Sequence, residues 1–206
     1  MRALWLSAAT AAVVIITLIG LFLALSEHEA RYVKTNMRKL IIVFALVLSA
    51  CTGVPENVTP VADFKTEKYL GTWYEIARLD HSFERGLTRV TANYSLRDDG
   101  GLKVINRGYS ANENKWKEAE GKAYFVFGSD RGYLKVSFFG PFYGSYIVFE
   151  LDHENYHYAL VCGPDKSYLW ILARAPHLSD DVKKRLVTKA AALGFDTDKL
   201  IYVAHD

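Results

Sequence analysis

Hydrophobic and polar positions divide the chain into zones of different period. Residues 3–25 form a run of about 23 residues without a charge, long enough to span a bilayer, which takes ~20 apolar residues. A polar stretch carrying Glu27, Glu29, Arg31 and Lys34 follows. After Met37-Arg38-Lys39 comes a second apolar run, residues 40–50, too short to span. From Gly71 onward apolar side chains recur mostly at every second position, which predicts strands. Eight are expected, over 72–79, 88–96, 102–109, 116–127, 133–139, 143–151, 158–162 and 168–173. Turn sequences such as Asp98-Asp99-Gly100-Gly101, Asn112-Glu113-Asn114 and Gly140-Pro141 punctuate them.

Short strands at even spacing point to a sandwich or an up-and-down barrel. Closure removes the exposed edges of an open sheet, and eight strands enclose room for side chains or one small ligand. After Pro176 the period changes. Ser179 or Asp180 can cap a helix, Val182, Leu186, Ala190 and Leu193 recur at helical spacing, and Gly194 ends it. Ile201-Tyr202-Val203 supplies a last short strand. The expected fold is therefore all-β, an eight-stranded antiparallel barrel with one C-terminal helix packed on its outer wall.

The second apolar run has the layout of a secretory signal: positive charges, an apolar centre, then small residues. Leu48-Ser49-Ala50-Cys51 resembles the lipobox of bacterial lipoproteins, which implies cleavage before Cys51 and acylation of that residue. Three acyl chains exceed the two-signal threshold for stable membrane anchoring. Thr52, where an Asp would retain a lipoprotein at the inner membrane, implies the outer membrane, facing the periplasm. Two signals in tandem leave two readings of residues 1–36: a reading frame extended upstream of Met37, or a membrane helix ahead of an internal lipobox. The expected organisation is an apolar extension 1–36, a signal 37–50, a flexible tether 51–62 containing Pro55 and Pro60, and one domain 63–206.

Charges nearly cancel, with 25 Lys and Arg against 23 Asp and Glu. No basic run marks a nucleic-acid footprint. The six histidines lack metal-ligand spacing, and His153 and His157 flank a turn. Cys162 has its nearest candidate base, His157, on the opposite face of the same strand, so it reads as a buried thiol and not a nucleophile. The residues call for no catalytic group, metal or cofactor.

Three motifs carry a family resemblance. Gly71-Thr72-Trp73 opens the first strand, Leu151-Asp152-His153-Glu154-Asn155-Tyr156 covers the turn between strands six and seven, and Leu169-Trp170-Ile171-Leu172-Ala173-Arg174 ends strand eight. In order and spacing they resemble the signatures of the lipocalins, closest to the bacterial outer-membrane and apolipoprotein D-like members, over about residues 61–203. The second departs slightly, with Leu151-Asp152-His153 where members often have Thr-Asp-Tyr. The resemblance implies a structural set, Gly71, Trp73, Asp152 and Arg174, with the Arg174 guanidinium lying on the Trp73 indole at the closed end. Taking strand eight as the reference, alternation turns Tyr168, Trp170 and Leu172 inward. The same reasoning, with the alignment for strand two, adds Ala92, Tyr94, Val104, Asn106, Gly108, Ala123, Phe125, Val136 and Phe138. Small residues among these, together with Gly121, are expected to leave a cavity.

The resemblance implies a ligand of the fatty acid or lysophospholipid class, carried or stored for upkeep of the cell envelope. A scaffolding lipoprotein with a filled barrel and a carrier of a tetrapyrrole or other hydrophobic ligand are the rivals. The aromatic hairpin from Phe138 to Tyr143 is either a membrane-facing lip, a homodimer contact or a capped turn. Mass spectrometry of the mature protein should find Cys51 acylated and first; an intact peptide crossing Ala50-Cys51 excludes the lipoprotein reading.

Overall fold

The structure, a computed structural model, describes residues 52–206. The expectations for residues 1–51, including the signal and Cys51, lie outside the described residues. Among the described residues the order is α1 (Thr66–Tyr69), β1 (Gly71–Arg78), β2 (Leu87–Leu96), β3 (Leu102–Ser110), β4 (Lys115–Phe125), β5 (Tyr133–Phe139), β6 (Phe142–Leu151), β7 (Tyr158–Cys162), β8 (Leu169–Ala173), α2 (Asp180–Ala192), a 3-10 turn (Thr197–Lys199) and β9 (Ile201–Tyr202).

Each of the first eight strands pairs antiparallel with the next. β1 bonds both β2, with Trp73 opposite Ala92, and β8, with Tyr74 opposite Ala173, so the sheet closes on itself. The eight-stranded barrel with a C-terminal helix is the architecture the alternation predicts. β9 adds a short edge beside Ala77 and Arg78. One stretch of wall is thin: β4 pairs with β3 from Lys115 to Ala123 but with β5 only from Lys122 to Phe125.

Odd-numbered strands run from the closed end, marked by α1 and Trp73, toward the mouth. The β1–β2, β3–β4, β5–β6 and β7–β8 turns therefore rim the mouth. Two apolar layers flank the wall. The outer one joins Ile76, Ile147, Leu160, Cys162, Leu169 and Ile171 to Leu186 and Ala190 of α2 and to Phe195. Ser179 caps α2, its Oγ accepting from Val182 N. Gly194, at φ +84, ends the turn after the helix, a conformation that suits glycine. Arg185 and Lys189 of α2 both reach the Glu150 carboxylate of β6.

Trp73 is completely buried and the Arg174 guanidinium lies 4.1 Å from its ring centroid. Arg174 donates to Thr72 O at 2.9 Å and Lys68 O at 2.5 Å, and Trp73 Nε1 donates to Tyr69 O at 2.8 Å. The indole N–H thus enters the interior with a partner, which removes the cost of burying it bare. Gly71 holds φ +89 where the chain leaves α1 for β1. Asp152 organises the β6–β7 turn despite the changed motif. Its Oδ1 accepts from Glu154 N and Asn155 N, and its Oδ2 from His157 N.

The segment read as a flexible tether is instead laid along the outer wall. Pro55 and Val58 are buried. Tyr133 Oη donates to Thr52 O at 2.5 Å, Ser145 Oγ to Gly53 O at 2.6 Å, Val61 N to Val148 O at 2.9 Å and Gly132 N to Val61 O at 2.9 Å. The prolines fit because this stretch binds through carbonyls and a few N–H groups, so it needs no continuous ladder.

Trp73→Ala should lower stability by about 3–5 kcal/mol, the range for large aromatic truncations in a packed core. Thermal unfolding checks this, and an unchanged midpoint contradicts the plug.

Candidate functional site

The lower half of the barrel is filled. Tyr69 stacks on Trp73 with centroids 4.7 Å apart, Tyr94 lies 5.3 Å from Tyr69, and Tyr146 lies 6.0 Å from Tyr94. Phe64 closes on Tyr69 at 4.9 Å and meets Phe125 edge-on at 6.0 Å. Tyr69 and Tyr94 each bond the Tyr146 hydroxyl at 2.7 Å. Burial raises all three phenol pKa values, so the hydroxyls stay neutral. Three hydroxyl hydrogens serve two contacts, which leaves one donor over.

Above this floor the inward side chains behave differently. Ala92, Asn106, Val136, Phe138, Tyr146 and Trp170 face the barrel axis yet remain only half-buried, and Ala119, level with Asn106, is exposed. Surface on an inward side chain is surface that a small molecule can cover. Asn106 Oδ1 is buried without a hydrogen-bond partner.

The residues expected to line a cavity therefore separate into groups. Asn106, Val136, Phe138 and Trp170 surround the mouth half, and Ala92 stands beside the plug, opposite Trp73. Tyr94, Val104, Ala123 and Leu172 are buried in the packed interior, and Phe125 belongs to the closed end with Phe64. Tyr168 stands in the β7–β8 turn, not in β8, and its ring stacks on His81 at 4.6 Å, so it forms part of the roof. Gly108 leaves no room. A Cβ there would stand 3.0 Å from Leu87 Cδ1 and 3.2 Å from Val90 Cγ2. The space beside Gly121 is likewise taken by the Phe138 ring. Glycine in these strands admits neighbouring side chains, not a ligand.

A buried charged cluster on the mouth side of Trp73 escaped the sequence reading. The register of β1 against β8 shifts between Glu75 and Ala77, a bulge that places Ile76 and Ala77 together in the outer layer and turns Arg78 inward. Arg78 is completely buried and bonds Glu75 Oε1 at 2.6 Å through one terminal nitrogen. The other donates to Glu84 O at 2.9 Å and Leu87 O at 3.3 Å, which fastens the β1–β2 loop across the mouth. Trp170 Nε1 donates to Glu84 Oε2 at 3.1 Å. Two carboxyls share one guanidinium. Burial foremost, then the neighbouring Glu84, pushes Glu75 up to about 8; burial also raises Glu84, against the pull of Trp170 and Arg78. His81, in the same roof, is held down to about 4 by burial and by Arg78. A run of Glu75, Arg78, His81 and Glu84 around a first-strand bulge is the signal that could have revealed the cluster.

Comparison with known proteins places this geometry. Residues 64–205 match the family described as lipocalin-like domain. The chain is 60% identical over 163 residues to outer membrane lipoprotein Blc of Vibrio cholerae serotype O1, covering 79% of this chain and 95% of that one. It is 57% identical over 161 residues to the protein of the same name from Escherichia coli K12, covering 77% and 90%. Mouse apolipoprotein D is 32% identical over 145 residues, covering 67% and 75%. Among solved structures, insecticyanin of the tobacco hornworm Manduca sexta aligns with a TM-score of 0.60 at 25% identity, over 75% of this chain and 87% of that one.

The charged cluster makes stability depend on pH. Glu75 holds its proton more tightly when folded than its ordinary value of 4.5 allows. Its stabilising contribution is complete below about pH 4.5 and is lost as pH rises through about 8, with Glu84 acting in the same direction. Urea unfolding from about pH 6.5 to 8, above the range in which His81, held at about 4, gives the opposite trend, should show a decline that Glu75→Gln flattens; parallel profiles for the two proteins contradict the assignment.

Proposed function

The chain belongs to the lipocalin family, and from that premise we propose that it is an outer-membrane lipoprotein, acylated at Cys51, whose barrel carries or stores a fatty acid or lysophospholipid. The observation that carries the reading is the split interior, packed below the tyrosine hydroxyls and lined above them by half-buried apolar side chains. Such a space takes an alkyl chain without specific polar contacts, at ~0.8 kcal/mol per methylene buried. The names of the bacterial relatives support the lipoprotein and its membrane.

Charge sets the direction of entry in this reading. Inside the barrel Arg78 is already matched by Glu75 and Glu84, so an anionic head group gains nothing there. The hydrocarbon tail enters first and the head group stays at the rim, where Lys115 and Lys117 stand paired with Glu113. The role is binding. Cys162 lies buried in the outer layer, and burial pushes its thiol up to about 12, away from the thiolate a nucleophile needs.

Titrating the purified domain with palmitate or a lysophospholipid should quench or shift tryptophan fluorescence saturably, at one ligand per barrel. Ala119→Phe, which projects a ring into the upper barrel from an exposed inward position, should weaken binding at least ~10-fold, about 1.4 kcal/mol, without lowering the melting temperature. A flat titration, with no heat by calorimetry, favours the filled scaffold. A visible absorption band in the purified protein favours the tetrapyrrole carrier.

A further inference from the structure

Access to the upper barrel is uneven around its rim. The loop between β1 and β2, residues 79–86, leans over the opening from the β1 and β8 side. Arg78 donates from beneath to Glu84 O and Leu87 O, and Trp170 of β8 donates to Glu84 Oε2 at 3.1 Å. His81 stacks on Tyr168 at 4.6 Å and on Phe83 at 5.3 Å, with the Trp170 ring 4.9 Å away. Glu84 and His81 are both buried. A molecule entering on this side has to separate stacked rings and lift a loop that a buried guanidinium holds down.

The opposite side is built differently. In the closed ring of eight strands, the β4–β5 seam lies across the barrel from the β1–β8 seam. There the ladder stops where Lys122 faces Ser137. From Gly121 back to Lys115, β4 is paired with β3 alone. At the rise of a strand this leaves a slot about 20 Å long in the wall. Its lower end is closed by Phe138, whose ring stands 2.8 Å from where a Cβ on Gly121 would be. Just above, Ala119 is exposed, although alternation aligns it with Gly121 and the buried, inward Ala123. Phe139, 80% exposed, stands on the β5 side of the slot. β4 and β5 share no ladder pairing at this level, so an alkyl chain can pass between them without breaking the sheet.

Resting on the reading of the upper barrel as a lipid site, we propose that the hydrocarbon chain enters and leaves sideways, through the β4–β5 slot at Ala119, with Phe138 as its sill, while the β1–β2 loop stays shut. The small side chain at 119 leaves the passage open, and the ring of Phe138 gives the passing chain an apolar surface to slide on. A head group that remains in water on this flank lies beside Lys115 and Lys117, whose ammonium groups the Glu113 carboxylate holds. Lipid exchange by this route leaves the buried pairs of Arg78 with Glu75 and Glu84 intact.

Two covalent staples on the full acylated protein test this. If the ladder continued, Glu120 would stand opposite Phe139, and both are exposed. Glu120→Cys and Phe139→Cys are therefore joined across the slot by a bismaleimide that a reductant cleaves. In a second protein Phe83→Cys and Ser167→Cys, exposed on the β1–β2 loop and the β7–β8 turn, are joined in the same way. Cys162 is buried and stays unmodified. Intact mass verifies each staple, and unchanged thermal unfolding verifies each fold. Stopped-flow mixing with a fluorescent fatty acid reads uptake, and displacement by excess palmitate reads release. The slot staple should slow both at least ~10-fold at an unchanged Kd, since a blocked path alters both rates together, and cleavage should restore them. The loop staple should leave both rates as they were. Slowing by the loop staple, or full speed with the slot stapled, overturns the route. An unstapled protein that takes up no fatty acid removes the lipid site and the route with it; uptake indifferent to the slot staple refutes only the route.

Discussion

The barrel depends on a closed end from which water is excluded. Here that condition is met by a short column of aromatic rings capped by a cation. The Trp73 indole fills the closed end and Arg174 lies across it, tied to the backbone at Thr72 and Lys68. Planarity matters: a guanidinium can lie flat on the ring and still direct its N–H groups sideways to carbonyls, which an ammonium cannot do as well. With that end sealed, Tyr69, Tyr94 and Tyr146 build the floor beneath the half-buried side chains of the upper barrel.

The two halves obey different rules. Below the hydroxyls, ring upon ring gives the density of an ordinary core. Above them, inward side chains keep accessible surface, a carbonyl oxygen of Asn106 lacks a partner, and a loop is held over the opening by Arg78. Interior ion pairs of this kind rarely add net stability over apolar packing. The cluster's evident structural work is to fasten the β1–β2 loop to the wall.

Most of the fold was legible because strand period and turn chemistry agree. β5 and β7 begin and end where alternation alone places them. The limits of legibility have physical causes. α1 spans four residues, too few to show a period. The bulge after Glu75 breaks the alternation that would have placed Arg78. Gly108 and Gly121 look like empty space in a sequence, yet Leu87, Val90 and Phe138 come from other parts of the wall to fill it. Pro55 and Pro60 suggest a loose linker, but the contacts that pin it come from Tyr133 and Ser145, some 80 to 90 residues away. Local pattern reports what a residue is; it does not report who arrives beside it.

The thin place in the wall has a consequence for solubility. From Lys115 to Gly121, β4 has a partner on one side only, and an unpaired strand is an invitation to strands from other molecules. This edge carries Lys115, Lys117, Glu118 and Glu120 within seven residues, all exposed. A foreign strand docking there would have to strip water from alternating charges of both signs. The barrel can thus leave its rim partly unzipped without becoming a seed for aggregation.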